Sequence, residues 1–180
     1  AINRYNGEFL WLRNSWGLRG EYTQILEKRD GIGSEAVGGV GFQTLPGVVG
    51  KGAYLSITHL LTGEREPENA IPKVAHPVIG PATPGVEGST PGMGAFQVKF
   101  RYSWIEGKAG GQNFPNQFTP ESVPAFSAHT DQFSMGVNWY LNYWVLVKFD
   151  LNLDRLHDPS VGGVLPQNYY VAVQGLQFRF

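Results

Sequence analysis

Residues 170–180 read Tyr-Val-Ala-Val-Gln-Gly-Leu-Gln-Phe-Arg-Phe, a segment in which apolar and polar side chains largely alternate. Side chains of an extended strand point alternately to its two faces. One face carries Tyr170, Ala172, Leu176, Phe178 and Phe180, and the other carries Gln177 and Arg179. The stretch is therefore predicted to be a β-strand with one apolar face and one polar face. An aromatic residue at its tip suits a strand sealed into lipid, because the ends of soluble domains are usually poorly ordered.

The same alternation recurs upstream. Further strands are predicted over residues 5–12, 17–26, 52–62, 94–105, 130–141 and 145–156, before a last strand over residues 168–180. Within residues 96–104, every second residue is Phe, Val, Phe, Tyr or Trp, and the residues between them are Gln, Lys, Arg and Ser. Strands of about 9–11 residues can cross a bilayer at a tilt, whereas soluble strands mostly have about 5–6 residues. The chain is therefore predicted to be all-β.

The composition favours a single domain built from sheet. Charged residues make up 16% of the 180 residues, against about 25% in typical soluble domains, while aromatic residues reach 13% and glycine is frequent. Such a composition disfavours both a disordered chain and a helical bundle. A net charge of −1 offers no basic surface for nucleic acid. The absence of cysteine excludes disulfides and thiolate metal sites.

Connection lengths and aromatic residues point to a membrane barrel. Short turns at residues 13–16 and 142–143 alternate with long loops at 28–50, 106–129 and 157–166, as in outer-membrane barrels with short periplasmic turns and long outer loops. A Pro/Gly-rich connection over residues 63–93 breaks this pattern and is expected to fold into the lumen or to dock on a partner. The aromatic residues predicted to lie at the membrane interfaces are Trp11, Trp16, Trp104, Trp139, Tyr143 and Trp144. Packing in a core next to the turns is the alternative for these rings.

Several stretches, taken in order, resemble the phosphate-selective porin O and P family. They are residues 20–24, 52–65, 94–103, 136–142 (Gly-Val-Asn-Trp-Tyr-Leu-Asn), 147–150 (Val-Lys-Phe-Asp) and 176–180 (Leu-Gln-Phe-Arg-Phe). The resemblance implies a 16-stranded transmembrane antiparallel β-barrel in the bacterial outer membrane, assembled as a homotrimer, with residues 1–180 as its C-terminal part. It also implies that the barrel-assembly machinery reads Tyr170, Phe178 and Phe180 as a terminal signal. Because bacterial barrels have an even number of strands, further strands are expected to precede Ala1.

In a channel, selectivity comes from charges that face the lumen rather than from a catalytic set. By alternation, the residues predicted to line the pore are Arg19, Glu21, Lys99, Arg101, Lys148, Asp150, Asp154, Gln177 and Arg179. Three of them, Arg19, Lys148 and Arg179, lie near the periplasmic ends of their strands, next to the short turns. A cationic ring there would attract anions. The alternative is that they are solvated wall charges paired with neighbouring carboxylates. The arginine ladder that the family uses for phosphate has no counterpart in this stretch.

No enzymatic activity, cofactor or metal site is expected. The sequence contains no Gly-x-Ser-x-Gly, no His-Glu-x-x-His and no phosphate-cradling loop. The group formed by Asp154, His157 and Asp158 is interpreted as a polar loop. His129 and Asp131 lie at a junction between loop and strand, with no third ligand in view.

The predicted function is a porin-like channel for passive diffusion of small hydrophilic solutes or anions, surrounded by outer-membrane lipid and without a nucleic-acid partner. Two alternatives stay open. A non-conducting barrel that serves as an envelope scaffold or anchor would have its lumen filled by residues 63–92 or by further chain. A soluble β-sandwich that serves as a binding module would bury its apolar faces against each other.

Overall fold

The computed structural model describes residues 2–27, 47–68, 70–81, 83–86, 90–109, 126–157 and 167–179. These residues form one sheet of seven antiparallel strands: β1 (Ile2–Arg13), β2 (Trp16–Glu27), β3 (Val48–Leu60), β4 (Ala95–Ala109), β5 (Phe126–Tyr140), β6 (Val145–His157) and β7 (Gln167–Phe178). Each strand pairs with the next along the chain, so β1 and β7 form the two edges. The prediction of an all-β antiparallel chain is confirmed. The sheet is not closed within the described residues, and they contain no helix long and apolar enough to cross a bilayer.

The strands extend further than the sequence predicted at the end opposite the short turns. β4 continues to Ala109 and β5 begins at Phe126, so both ends of the loop predicted over residues 106–129 are strand. Likewise β3 begins at Val48 and β6 ends at His157. Small and charged residues interrupt the apolar alternation there, but backbone pairing continues because it does not require apolar side chains. At the other end, β3 stops at Leu60 rather than residue 62.

The pairing register sorts the side chains into two faces. One cross-strand row runs through Trp11, Leu18, Ile57, Phe100, Met135, Leu151 and Ala172. The next row, on the opposite face, runs through Leu10, Arg19, Ser56, Arg101, Ser134, Asn152 and Val171. The first face is called the apolar face and the second the polar face. The alternation seen in single segments is thus continuous across all seven strands.

The apolar face is not covered by a second layer among the described residues. Large side chains at its centre are about half exposed, at 53% for Leu55, 53% for Phe100 and 52% for Met135. On β6 the apolar side chains that alternate from Val145 to Leu153 span nine residues of strand. A tilted strand needs about 9–11 residues to cross a bilayer. A soluble sheet normally buries such a face against helices or a second sheet.

The short turns lie at one end of the sheet, called the turn end, and the opposite end is the loop end. Asn14, with a φ of +52°, forms the β1–β2 turn together with Ser15. Asparagine is one of the few residues that tolerate this left-handed conformation. At the β5–β6 turn, the Asn142 side-chain oxygen accepts hydrogen bonds from the backbone N–H groups of Trp144 and Val145, each at 2.7 Å. Local side-chain chemistry therefore fixes both turns.

Residues 63–94, called the strap, lie between β3 and β4 in the chain. The described residues of the strap fold back over the polar face at the turn end. Val74 of the strap is fully buried. The small core around it comprises Leu60, Val74, Ala95, Tyr140 and Leu146, with Ile71 packed against it. The apolar residues that are buried therefore lie where the strap contacts the polar face, while the apolar face of the sheet stays exposed.

Candidate functional site

The polar face collects the charged residues that the sequence predicted to line a pore. The register places Arg19, Glu21, Lys99, Arg101, Lys148, Asp150, Asp154 and Gln177 on this face. Arg179 directly follows β7, and its backbone N–H donates to the Trp144 carbonyl at 3.0 Å. The structure therefore groups these side chains on one surface. Their role in lining a pore stays a prediction.

An ion pair crosses three strands near the middle of the polar face. Lys99 on β4 and Asp150 on β6 are separated by β5, yet Lys99 Nζ lies 2.8 Å from Asp150 Oδ1. The residue between them in the register is Gly136. A Cβ at that position would collide with the Asp150 carboxylate and lie 2.8 Å from Lys99 Cε. Glycine is therefore required at position 136 for the two charges to meet over β5.

Substitution of this glycine is expected to destabilise the sheet. In Gly136→Ala, the added methyl group displaces the ion pair and approaches the Phe149 carbonyl to 2.7 Å, an overpacking that costs about 1–3 kcal/mol. The free energy of unfolding, measured by urea titration in lipid vesicles, checks this. The matched control is Gly175→Ala on the same face, because nothing lies within 4 Å of a Cβ there. Equal stability of the two variants would contradict the assigned geometry.

A groove of about 620 Å³ lies towards the loop end of the polar face, lined in part by Glu21, Tyr54, Arg101, Gln132 and Asp154. The Arg101 guanidinium stacks 4.1 Å from the centroid of the Tyr54 ring, and its Nε donates to Ser103 Oγ at 2.9 Å. Asp154 Oδ1 is shielded from solvent and has no hydrogen-bond partner. The groove therefore presents charges of both signs to any solute.

Glu66 is the centre of the contact between the strap and the sheet. The residue is only 4% exposed, although it is an ionisable side chain. Its carboxylate accepts hydrogen bonds from Thr58 Oγ1 at 2.9 Å and from Gln97 Nε2 at 3.0 and 2.9 Å. Gln97 Oε1 in turn accepts from Asn138 Nδ2 at 2.8 Å and from the Tyr140 hydroxyl at 3.2 Å. A buried carboxylate is tolerated only when it is compensated in this way.

Arg19, predicted as part of a cationic ring, is occupied by the strap. Its Nη2 donates to the carbonyls of Pro67 at 3.0 Å and Glu68 at 2.8 Å, and lies 3.9 Å from Glu66 Oε1. Gly17 on the same strand makes room for this arrangement, because a Cβ there would lie 2.9 Å from Glu66 Cγ. The sequence did not predict these contacts, since they join residues about 48 positions apart.

Two further points attach the strap to the turns of the sheet. At the β1–β2 turn, the Glu66 backbone N–H donates to the Asn14 carbonyl at 2.7 Å. At the β5–β6 turn, the Val78 N–H donates to the Leu141 carbonyl at 2.7 Å, and Asn142 Nδ2 donates to the Ile79 carbonyl at 2.9 Å. The strap therefore spans the polar face from the β1–β2 turn to the β5–β6 turn.

The residues predicted as interfacial aromatics lie mainly at the turn end. Trp11, Trp16, Trp139, Tyr143 and Trp144 are in or near the short turns, whereas Trp104 lies in the half of the sheet nearer the loop end. Trp16 stacks on His59 with ring centroids 3.9 Å apart, and Trp139 stacks on Phe96 at 5.3 Å. Of the predicted assembly signal, Tyr170 and Phe178 lie on the apolar face and are exposed, and Phe180 lies outside the described residues.

Comparison with known proteins adds no relative. No family model, curated protein or solved structure matches this chain. The resemblance to the porin family therefore stays a prediction from the sequence.

Proposed function

We propose that this chain is part of the wall of an outer-membrane β-barrel that acts as a porin-like channel for small hydrophilic solutes or anions. The observation that carries the proposal is the division of seven long strands into one exposed apolar face and one charged face. An apolar patch spanning a whole sheet is unfavourable in water, because contiguous exposed patches on soluble monomers rarely exceed a few hundred Å². In lipid the same face is the favourable one, and the polar face lines water.

The edges of the sheet support a larger barrel. Within the described residues, β1 and β7 each pair on one side only, which leaves a row of backbone groups without a partner strand. Such an edge cannot be left in hydrocarbon, so the wall must close on itself. Further strands that complete a 16-stranded barrel, assembled as a homotrimer by the barrel-assembly machinery, are the finer form of the proposal that the family resemblance suggests.

The charges on the polar face support a general pore rather than a phosphate-specific one. Lys99 is neutralised by Asp150, and Arg19 is held by the strap. Arg101 lies on the Tyr54 ring, so the cations do not form a continuous ladder. Lys148 remains as a cation of the wall near the turn end, and we expect a modest preference for anions.

A non-conducting barrel that serves as a scaffold or anchor is the second candidate, and the strap favours it. The described residues of the strap occupy the turn end of the polar face and are held there by the buried Glu66 carboxylate. A strap in this position narrows a lumen, and additional chain could close it. A soluble sandwich receives less support, since the described residues form one sheet rather than two packed sheets.

Single-channel recording of the full-length protein in planar bilayers tests the proposal. We expect discrete conductance steps. In a salt gradient, we expect a reversal potential that indicates a preference for anions, and Lys148→Glu is expected to shift this preference towards cations. Lys51→Glu is the control, because this substitution makes the same change of charge on the apolar face of the sheet. A detergent-stable, β-rich protein that gives no conductance would contradict the channel and favour the scaffold.

A further inference from the structure

Three potential metal ligands meet at the loop end of β5 and β6. His129 and His157 are direct partners in the antiparallel register, and Asp131 lies two residues from His129 on the same face. Their ligating atoms all lie within 4.8 Å of one another. The sequence pattern places His129 beside Asp131 with no third ligand in view, and it groups His157 with Asp154 and Asp158. The structure separates that group, since Asp154 lies on the opposite face, and Asp158 is outside the described residues.

The carboxylate of Asp131 is oriented towards the imidazoles. The Tyr102 hydroxyl donates to Asp131 Oδ1 at 2.6 Å, which fixes one oxygen. The other oxygen, Oδ2, lies 4.0 Å from His129 Nε2 and 3.9 Å from His157 Nδ1. Both distances are too long for hydrogen bonds. Arg155, opposite Asp131 in the register, places its guanidinium over the Phe133 ring, 5.7 Å from the centroid.

The two imidazoles lie face to face, and one of their ring nitrogens has no hydrogen-bond partner. Their rings stack with centroids 4.3 Å apart and an interplanar angle of 10°. His157 Nδ1 is shielded from solvent and has no hydrogen-bond partner. A metal bound at about 2.1 Å to a nitrogen and an oxygen in tetrahedral geometry places those atoms about 3.4 Å apart. The two nitrogen–oxygen separations are each about half an ångström longer than this. Because a metal lies in the plane of each imidazole that binds it, the two stacked rings must also rotate out of their parallel arrangement when the ion binds.

We infer that His129, Asp131 and His157 bind a divalent transition-metal ion of the Zn²⁺ class, which ties the loop ends of β5 and β6 together. Two imidazole nitrogens and one carboxylate oxygen are a ligand set that such ions accept, and a fourth position stays open to water. Tyr102 acts as a positioning residue, because its hydrogen bond turns the free carboxylate oxygen towards the two rings. The three ligands lie on the apolar face, but at its loop end, where the row of His129 continues through the charged residues Glu106 and Lys51. The metal site does not rest on the proposed channel.

Metal titration of the folded protein, prepared without a histidine tag, tests the site. We expect one equivalent of Zn²⁺ by calorimetry and a visible absorption band of four-coordinate Co²⁺. His129→Ala, His157→Ala and Asp131→Asn each weaken the affinity at least about tenfold. His59→Ala and His76→Ala are the controls, because these histidines lie outside the cluster, and their variants bind as the original protein does.

Tyr102→Phe separates positioning from folding. It is expected to weaken Zn²⁺ affinity about tenfold and to shift the Co²⁺ band, while the metal-free protein keeps its fold. Far-ultraviolet circular dichroism of every variant verifies the fold. The inference is overturned if the original protein shows no saturable binding, or if the double variant His129→Ala/His157→Ala binds as tightly as the original.

Discussion

Met135→Arg is expected to destabilise the protein in a phospholipid bilayer by about 2–4 kcal/mol, the cost of a basic residue on the lipid face of a barrel at the midplane. Met135 lies at the centre of the apolar face, between Phe100 and Leu151 in the register. The side chain is 52% exposed to whatever solvent surrounds the sheet. If that solvent were water, an arginine there would change stability by no more than about 0.5 kcal/mol. The size of the effect therefore identifies the solvent.

Gln132→Arg is the matched control for this substitution. It lies on the same strand but on the polar face, where its register partners are Ser103 and Asp154. A new cation opposite a carboxylate is expected to be neutral or slightly stabilising. Reversible unfolding in urea, followed by tryptophan fluorescence in vesicles, measures both variants. A neutral Met135→Arg, or equal losses in the two variants, contradicts a lipid-facing surface.

Glu66→Ala is expected to release the strap and to cost about 3 kcal/mol of stability. The substitution removes the acceptor of the buried Gln97 Nε2 and of the half-buried Thr58 Oγ1, and a buried donor left unsatisfied costs about 1–3 kcal/mol. Loss of the carboxylate also removes the anion nearest to Arg19, at 3.9 Å. In a channel, the freed strap leaves the turn end, so single-channel conductance is expected to rise.

Trypsin cleavage after Lys73 reports the release directly. Lys73 is exposed but lies between two buried strap residues, Pro72 and Val74, which hold the backbone against the sheet. Cleavage is expected to be slow in the original protein and at least about tenfold faster in Glu66→Ala. Glu68→Ala, which removes an exposed carboxylate from the same strap, is the control. Equally fast cleavage in the original protein would contradict an anchored strap.

Strand identity could be read from the sequence because it depends on a local signal. Alternation with period two is visible in residues 96–104 and 170–178, and it predicted both strands and their faces. Boundaries failed where that signal fades, as in Glu106-Gly107-Lys108, which are strand without apolar alternation. Backbone pairing there is set by the neighbouring strands and not by the segment itself.

The contacts of the candidate sites join residues that are far apart in the sequence, so they could not be predicted from local patterns. Nothing in the local sequence distinguishes Glu66 from Glu64 and Glu68, yet the fold buries only Glu66 of the three, between Thr58 and Gln97. The ligand cluster has the same origin, since His157 reaches His129 only through the register of β5 and β6. Gly136 is informative only once Lys99 and Asp150 are seen on either side of it.

The most direct test of the central claim is spin-label accessibility along β5 in lipid vesicles. The chain contains no cysteine, so single-cysteine variants at positions 132 to 135 and at position 137 can be labelled without background. Position 136 is left unchanged, because a side chain there displaces the Lys99–Asp150 ion pair. The apolar-face positions, Phe133, Met135 and Val137, are expected to be accessible to oxygen, which concentrates in lipid. The polar-face positions, 132 and 134, are expected to be accessible to a water-soluble nickel chelate. Access of the chelate to Met135, or protection of that position from both reagents, would contradict a sheet that separates lipid from water.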